Sequence, residues 1–191
     1  MIRTNRMAKW FRLAAWCAVP LALGASTPKR APVSYQATAT KKAQAAVTGL
    51  RTGQRAPRFS ATDVNGKTQS LQAYLNRVVV LHFWTTWCPT CQGKLPQLQQ
   101  VQQRFGGRQV VIVSVSLDDD PQALRRFLQT HALPYAVIED AAQRPSVAGL
   151  YQVDGFPTTY LIDRQGLIVE RLGAAGDLMH AVLQALAAPH A

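Results

Sequence analysis

The chain has 191 residues and carries 21 Lys and Arg against 10 Asp and Glu, a formal charge of +11 at pH 7. That length allows one domain plus extensions, and so large a charge raises nucleic-acid binding first. The distribution argues against it. No acidic residue precedes Asp63, and from there onward basic and acidic residues balance, so the excess belongs to the N-terminal stretch. A nucleic-acid-binding domain needs its basic face on the folded part.

Residues 1–26 read as a secretory signal or a membrane anchor. Arg3, Arg6, Lys9 and Arg12 precede an apolar run over 13–23, and Ala22, Gly24, Ala25 and Ser26 offer a cleavage site. The run is shorter than the roughly 20 residues that span a bilayer, and Pro20 sits badly in a spanning helix. An organelle transit peptide is a further alternative. Cleavage would remove Cys17 and leave Cys88 and Cys91 as the only cysteines. Residues 27–52, dominated by Pro, Ala, Thr, Lys and Gln, have the composition of a flexible basic linker. Lys29, Arg30, Lys41 and Lys42 suit an anionic membrane surface, or they are simply solvated. The folded domain occupies 53–191.

Within it, 59–64 and 67–71 read as two short strands joined at Asn65-Gly66 by a primed turn. Residues 70–76 form a short helix or turn, and the apolar run 78–84 is a buried strand. A helix over 92–105 follows, with Leu95, Leu98, Val101 and Phe105 at helical spacing and a kink expected at Pro96. Val110 to Val115 is a strand covered on both faces. Asp118, Asp119 and Asp120 precede Pro121, and capping explains the triplet, with Asp120 as N-cap. Leu124, Phe127, Leu128 and His131 mark one helix stripe, with His131 at its boundary. A strand at 135–138, a short helix at 146–151, a hairpin of 158–162 with 167–172, and a final helix over 177–188 complete the chain. Alternating strands and helices of this kind give an α/β fold, a central mixed β-sheet flanked by helices, with an extra N-terminal β-hairpin.

The chemistry gathers at Trp84-Thr85-Thr86-Trp87-Cys88-Pro89-Thr90-Cys91. Strand, loop and helix place a C-x-x-C at a helix N-terminus, where free N–H groups and the helix dipole favour the Cys88 thiolate. That thiolate attacks in disulfide exchange, and Cys91, one turn on, closes the ring. A structural disulfide is one alternative, although a bridge enclosing four residues contributes only about 2 kcal/mol by loop closure. Half of a zinc site is another, although no second Cys or His pair supplies the remaining ligands.

With those pieces placed, residues 53–188 resemble the periplasmic thiol–disulfide oxidoreductases of the TlpA/ResA/DsbE kind, in the thioredoxin superfamily. The resemblance rests on the run from Phe83 to Cys91, on Leu95-Pro96, and on Val153-Asp154-Gly155-Phe156-Pro157-Thr158-Thr159-Tyr160. It implies a thioredoxin-like fold and a cis Pro157 facing the cysteines, with the Phe156 backbone open to a substrate strand. Trp87, Pro89, Thr90 and Phe156 then form the substrate rim, Trp84 belongs to the core, and Thr158 and Tyr160 support the proline. The resemblance further implies a periplasmic location, protein thiol and disulfide substrates such as apocytochrome c, and electrons from a membrane donor of the DsbD/CcdA type. No cofactor is implied beyond the Cys88–Cys91 disulfide. The Pro-Thr dipeptide is similar to that of the cytochrome-c-maturation members.

Two positions depart from the pattern. Lys94 stands where these relatives commonly have Glu, on the same helix face as Cys91. Its ammonium either favours the thiolate or extends to water. His82, on the strand feeding the site, is either a proton acceptor for Cys91 or a core histidine with its hydrogen bonds satisfied. Two other functions share part of this pattern. Thr85-x-x-Cys88 echoes a peroxidatic cysteine, but Leu81 stands where that class places a proline. A copper chaperone of the Sco kind needs a wider C-x-x-x-C and a suitably placed His.

Overall fold

The computed structural model describes residues 47–188; the leader and linker up to residue 46 lie outside the described residues. The chain opens with a hairpin of β1 (Ser60–Thr62) and β2 (Thr68–Ser70), paired antiparallel. Its turn differs from the primed turn expected. Gly66 has positive φ but Asn65 does not, and Asp63 N–H donates to the Lys67 carbonyl while Gly66 N–H donates to that of Asp63. This is a longer loop with glycine in the left-handed region, which relieves Asn65 of that conformation. Asp63 stiffens it by accepting from the N–H groups of Asn65 and Lys67 at 2.9 Å each.

After a 3₁₀ turn at Leu71–Tyr74 capped by Ser70, the chain enters the central strand β3 (Val78–Trp84). Two short helices follow, α1 (Pro89–Gln92) and α2 (Leu95–Phe105), then β4 (Val110–Ser116) and α3 (Pro121–Thr130). Beyond them lie β5 (Ala136–Glu139), α4 (Val147–Leu150), the hairpin β6 (Thr158–Ile162) and β7 (Ile168–Leu172), and α5 (Leu178–Ala187). The five-stranded sheet has the order β5-β4-β3-β6-β7, with β3, β4 and β5 parallel and β6 and β7 antiparallel.

Every residue of β3 is buried, because helices or loops cover both sheet faces. Val79, Leu81 and Phe83 pack with Phe59, Tyr151 and Tyr160 under the hairpin and α4. Val78 and Val80 face the opposite way, against Leu95, Leu98 and Val101 of α2 and Val182 and Ala185 of α5. Trp84 is fully buried beside Phe127 of α3.

The helix read over 92–105 is interrupted near Pro96, as expected there: Gly93 and Lys94, between α1 and α2, keep right-handed helical backbone angles. Pro96 lies in the first turn of α2, where it needs no partner; its missing N–H leaves the Gln92 carbonyl without a helical donor, and the helix divides at Gly93 and Lys94. Residues 47–52, placed with the linker in the sequence reading, carry backbone hydrogen bonds to the domain: Arg55 N–H donates to Val47 and Gly49 N–H to Arg55. Leu50 packs on the core. Among the described residues no helix is long and apolar enough to cross a membrane.

Candidate active site at the Cys88 to Cys91 turn

β3 ends at the centre of the sheet, so the loop 85–87 delivers Cys88 to the end of the sheet where parallel strands leave room for a site. Cys88 is the N-cap of α1, its backbone extended and Pro89 at the first helical turn. Cys88 and Cys91 are joined by a disulfide, with Cα atoms 5.2 Å apart. Cys91 is 0 % exposed and packs with Trp84, Leu124 and Val137, while Cys88 keeps 6 % of its surface in solvent. An incoming thiol therefore reaches Cys88 first.

Two groups address the Cys88 sulfur. Cys91 N–H donates to it at 3.2 Å, and the Thr90 hydroxyl lies 3.1 Å away. A disulfide sulfur has no proton, so the hydroxyl is the donor. When the bridge opens, both donors favour negative charge on that sulfur. These N–H and O–H groups sit at the start of the helical segment that leads through Gly93 and Lys94 into α2.

The strand register brings the second loop alongside. Phe83 pairs with Thr158 at the start of β6, which sets the residues just before β6 next to those just after β3. The Phe156–Pro157 peptide is cis, as the resemblance implied, and a second cis bond, Arg144–Pro145, was not anticipated. Phe156 is 38 % exposed and meets Trp87, 66 % exposed, edge to face with centroids 5.2 Å apart. Pro89 and Thr90 are exposed beside them. Thr158 braces the loop by donating to the Gly155 carbonyl at 2.8 Å, and Tyr160 donates to the Tyr151 carbonyl at 3.1 Å.

The family model for AhpC/TSA matches residues 52–171, a span containing the hairpin, the dithiol turn and the Phe156–Pro157 loop. The chain belongs to this family. The thiol-disulfide oxidoreductase ResA of Bacillus thuringiensis (strain Al Hakam) is 31 % identical over 123 residues, 64 % of this chain and 70 % of the relative. The thioredoxin-like protein YneN of Bacillus subtilis is 30 % identical over 122 residues, 63 % and 70 %. Among solved structures, a Chlorobium tepidum protein described as thiol:disulfide interchange protein DsbE aligns with TM-score 0.65 and 28 % identity, over 72 % of this chain and 99 % of that one. The fold is thioredoxin-like, and the protein is a thiol–disulfide oxidoreductase.

In this oxidoreductase the two unusual positions, Lys94 and His82, are both buried. Lys94 does not extend to water. It is 8 % exposed, and its ammonium donates to the Gly176 carbonyl and, at 3.3 Å, to Gln97 Oε1, tying the start of α2 to the loop before α5. His82 is buried in the sheet between Ser114 of β4 and Thr159 of β6, a polar row across otherwise apolar strands. Its Nδ1 is 2.8 Å from Thr159 Oγ1, while its Nε2 and the Ser114 hydroxyl have no protein partner. Burial, helped by the Lys94 charge, pushes the His82 pKa down to about 3. A base that weak is poorly matched to holding a proton near neutrality, and only one of the two ring nitrogens has a protein partner.

Sequence reading missed Asp118. Capping accounts for Asp120, which accepts from Gln122 N–H at 2.8 Å, but Asp118 is buried and bonds to Thr86 in the loop before Cys88. The signal available was register. Two parallel strands of equal length, 78–84 and 110–116, end side by side, with Trp84 opposite Ser116, so residues shortly beyond each end meet.

Proposed function

We propose that this oxidoreductase works in the periplasm and exchanges dithiol for disulfide with protein substrates, Cys88 attacking and Cys91 resolving. The Cys88 thiolate attacks one sulfur of a substrate disulfide. A mixed disulfide forms on Cys88, and the released substrate sulfur leaves as a thiolate that takes up a proton. Cys91 then loses its proton and attacks the Cys88 sulfur. The second substrate thiolate leaves, and the Cys88–Cys91 bridge closes, two electrons having passed to the substrate. The bridge is itself the redox group and needs no cofactor beside it.

The observation that carries this reading is the asymmetry of the two sulfurs. Cys88 alone of the pair keeps any surface in solvent, 6 % against 0 % for Cys91; it receives two hydrogen bonds and lies in the turn next to the aromatic rim of Trp87 and Phe156. Pro89, Thr90 and the Phe156–Pro157 loop complete the face a substrate segment meets. The Thr85 hydroxyl has no partner, and Thr90 makes the hydroxyl contact to the Cys88 sulfur.

The leader pattern in residues 1–26 supports export. The Pro89-Thr90 dipeptide, similar to that of the cytochrome-c-maturation members, supports apocytochrome c among the substrates. A membrane reductase of the DsbD/CcdA type would then restore the dithiol. A Cys91→Ser protein expressed in its host tests the reading. It should accumulate mixed disulfides on Cys88 in the periplasmic fraction, with a c-type apocytochrome among them. Adducts found only in the cytoplasm, or none at all, would overturn it.

A further inference from the structure

The Asp118 carboxylate is 2 % exposed. Its Oδ1 accepts from Thr86 N–H at 3.1 Å and from the Thr86 hydroxyl at 2.7 Å; its Oδ2 accepts from the same N–H at 3.1 Å and from the Ser116 hydroxyl at 2.7 Å. Among the described residues no Lys, Arg or His forms an ion pair with it. A carboxylate buried without a cation is strongly unfavourable unless donors occupy its lone pairs. Neither neighbouring element needs this group: Asp120 caps α3, and Leu117 N–H extends the ladder by donating to the Trp84 carbonyl at 2.8 Å.

What the carboxylate does hold is Thr86. The Thr86 N–H and hydroxyl go to Asp118, and its carbonyl accepts from Gln92 Nε2 in α1 at 2.6 Å. Every polar group of Thr86 is thereby fixed, from the end of β4 on one side and from the dithiol helix on the other. Thr86 is followed directly by Trp87 and Cys88, so this clamp sets where both emerge.

We propose that Asp118 is a positioning residue of the dithiol centre, acting through Thr86 to hold the Cys88 sulfur in line for attack. The inference rests on the reading of Cys88 as the attacked sulfur. Disulfide exchange passes through an in-line arrangement of three sulfurs, and a displacement of about 1 Å can slow a positioned reaction by about 100-fold. A buried carboxylate with matched donors keeps that displacement small, at a place where the chain is otherwise a loop.

The test is the second-order rate at which dithiothreitol, too small to need the rim, opens the Cys88–Cys91 disulfide. Asp118→Ala and Thr86→Val should each react about tenfold more slowly or worse, while remaining folded by thermal melting. Asp118→Asn should stay within about threefold of the unaltered protein, because its carbonyl can accept the Thr86 donors and its amide can donate to the Ser116 oxygen. A folded Asp118→Ala that reacts at the unaltered rate overturns the proposal, as does an Asp118→Asn slowed as much as Asp118→Ala. Where Asp118→Ala fails to fold, Thr86→Val decides alone, and an unaltered rate in it has the same consequence. Cys88→Ser separates the two readings. Retained insulin reduction in that variant sinks the role of Cys88, whereas its loss together with unaltered rates in Asp118→Ala sinks only the clamp.

Discussion

The Thr90 hydroxyl donates to the Cys88 sulfur at 3.1 Å, beside the Cys91 N–H at 3.2 Å. The residue between proline and the resolving cysteine thus touches the reacting atom. A hydrogen bond to a charged group is worth about 1.5–3 kcal/mol, and one pH unit corresponds to about 1.4 kcal/mol. Thr90→Val should therefore raise the Cys88 pKa by about one to two units, read from thiolate absorbance or alkylation rate against pH, and Thr90→Ser should restore it. An unchanged titration in Thr90→Val would mean the hydroxyl serves only the surface.

The aromatic rim separates docking from chemistry. Trp87→Ala and Phe156→Ala should each raise KM for a protein disulfide several-fold, since buried aromatic anchors commonly cost 1 kcal/mol or more when truncated. Their rates with dithiothreitol should stay near those of the unaltered protein. Equal slowing with both substrates would assign these rings to the chemistry instead.

Lys94 carries a buried positive charge at the start of α2. It should favour the reduced dithiol by stabilising the thiolate. Lys94→Glu is expected to shift equilibrium with glutathione about tenfold toward the disulfide, which is about 30 mV more negative. Identical potentials in the two proteins would remove that role and leave the tie to Gly176 as its whole function.

His82 predicts an acid-side loss of stability. Its folded pKa of about 3 lies below the ordinary 6.5, so the unfolded chain binds the proton first as pH falls. Stability is complete above 6.5 and drops by about 1.4 kcal/mol per pH unit between there and 3. Between pH 6.5 and 5 the unaltered protein should lose about 2 kcal/mol more than His82→Gln, measured by urea unfolding. Parallel pH profiles for the two proteins would show that His82 is not held neutral.

Much of the fold was legible because burial writes itself into runs and periods. The run 78–84 shows its depth in six apolar residues out of seven, with His82 the exception, and Asp120-Pro121 announces α3 through cap and first turn. The dithiol turn was legible for the same reason that a C-x-x-C is informative: its chemistry depends on local spacing. Contacts between distant segments left weaker traces. Asp118 and Thr86 meet through strand register, and Lys94 reaches Gly176 through helix placement; neither partner is implied by the residues around it. The primed turn failed where Asp63 offered its carboxylate to two backbone N–H groups and favoured a longer loop. Pro96 announced the disruption correctly, because its missing N–H acts locally, within one turn of its own position.

Exchange depends on Cys88 as the attacking sulfur. The most direct measurement is insulin reduction with dithiothreitol as donor, comparing Cys88→Ser and Cys91→Ser with the unaltered protein. Cys88→Ser should fall to the uncatalysed rate, and Cys91→Ser should accumulate as an adduct with an insulin chain. A Cys88→Ser protein that turns over at the unaltered rate, or an adduct that forms through residue 91 instead, would contradict it.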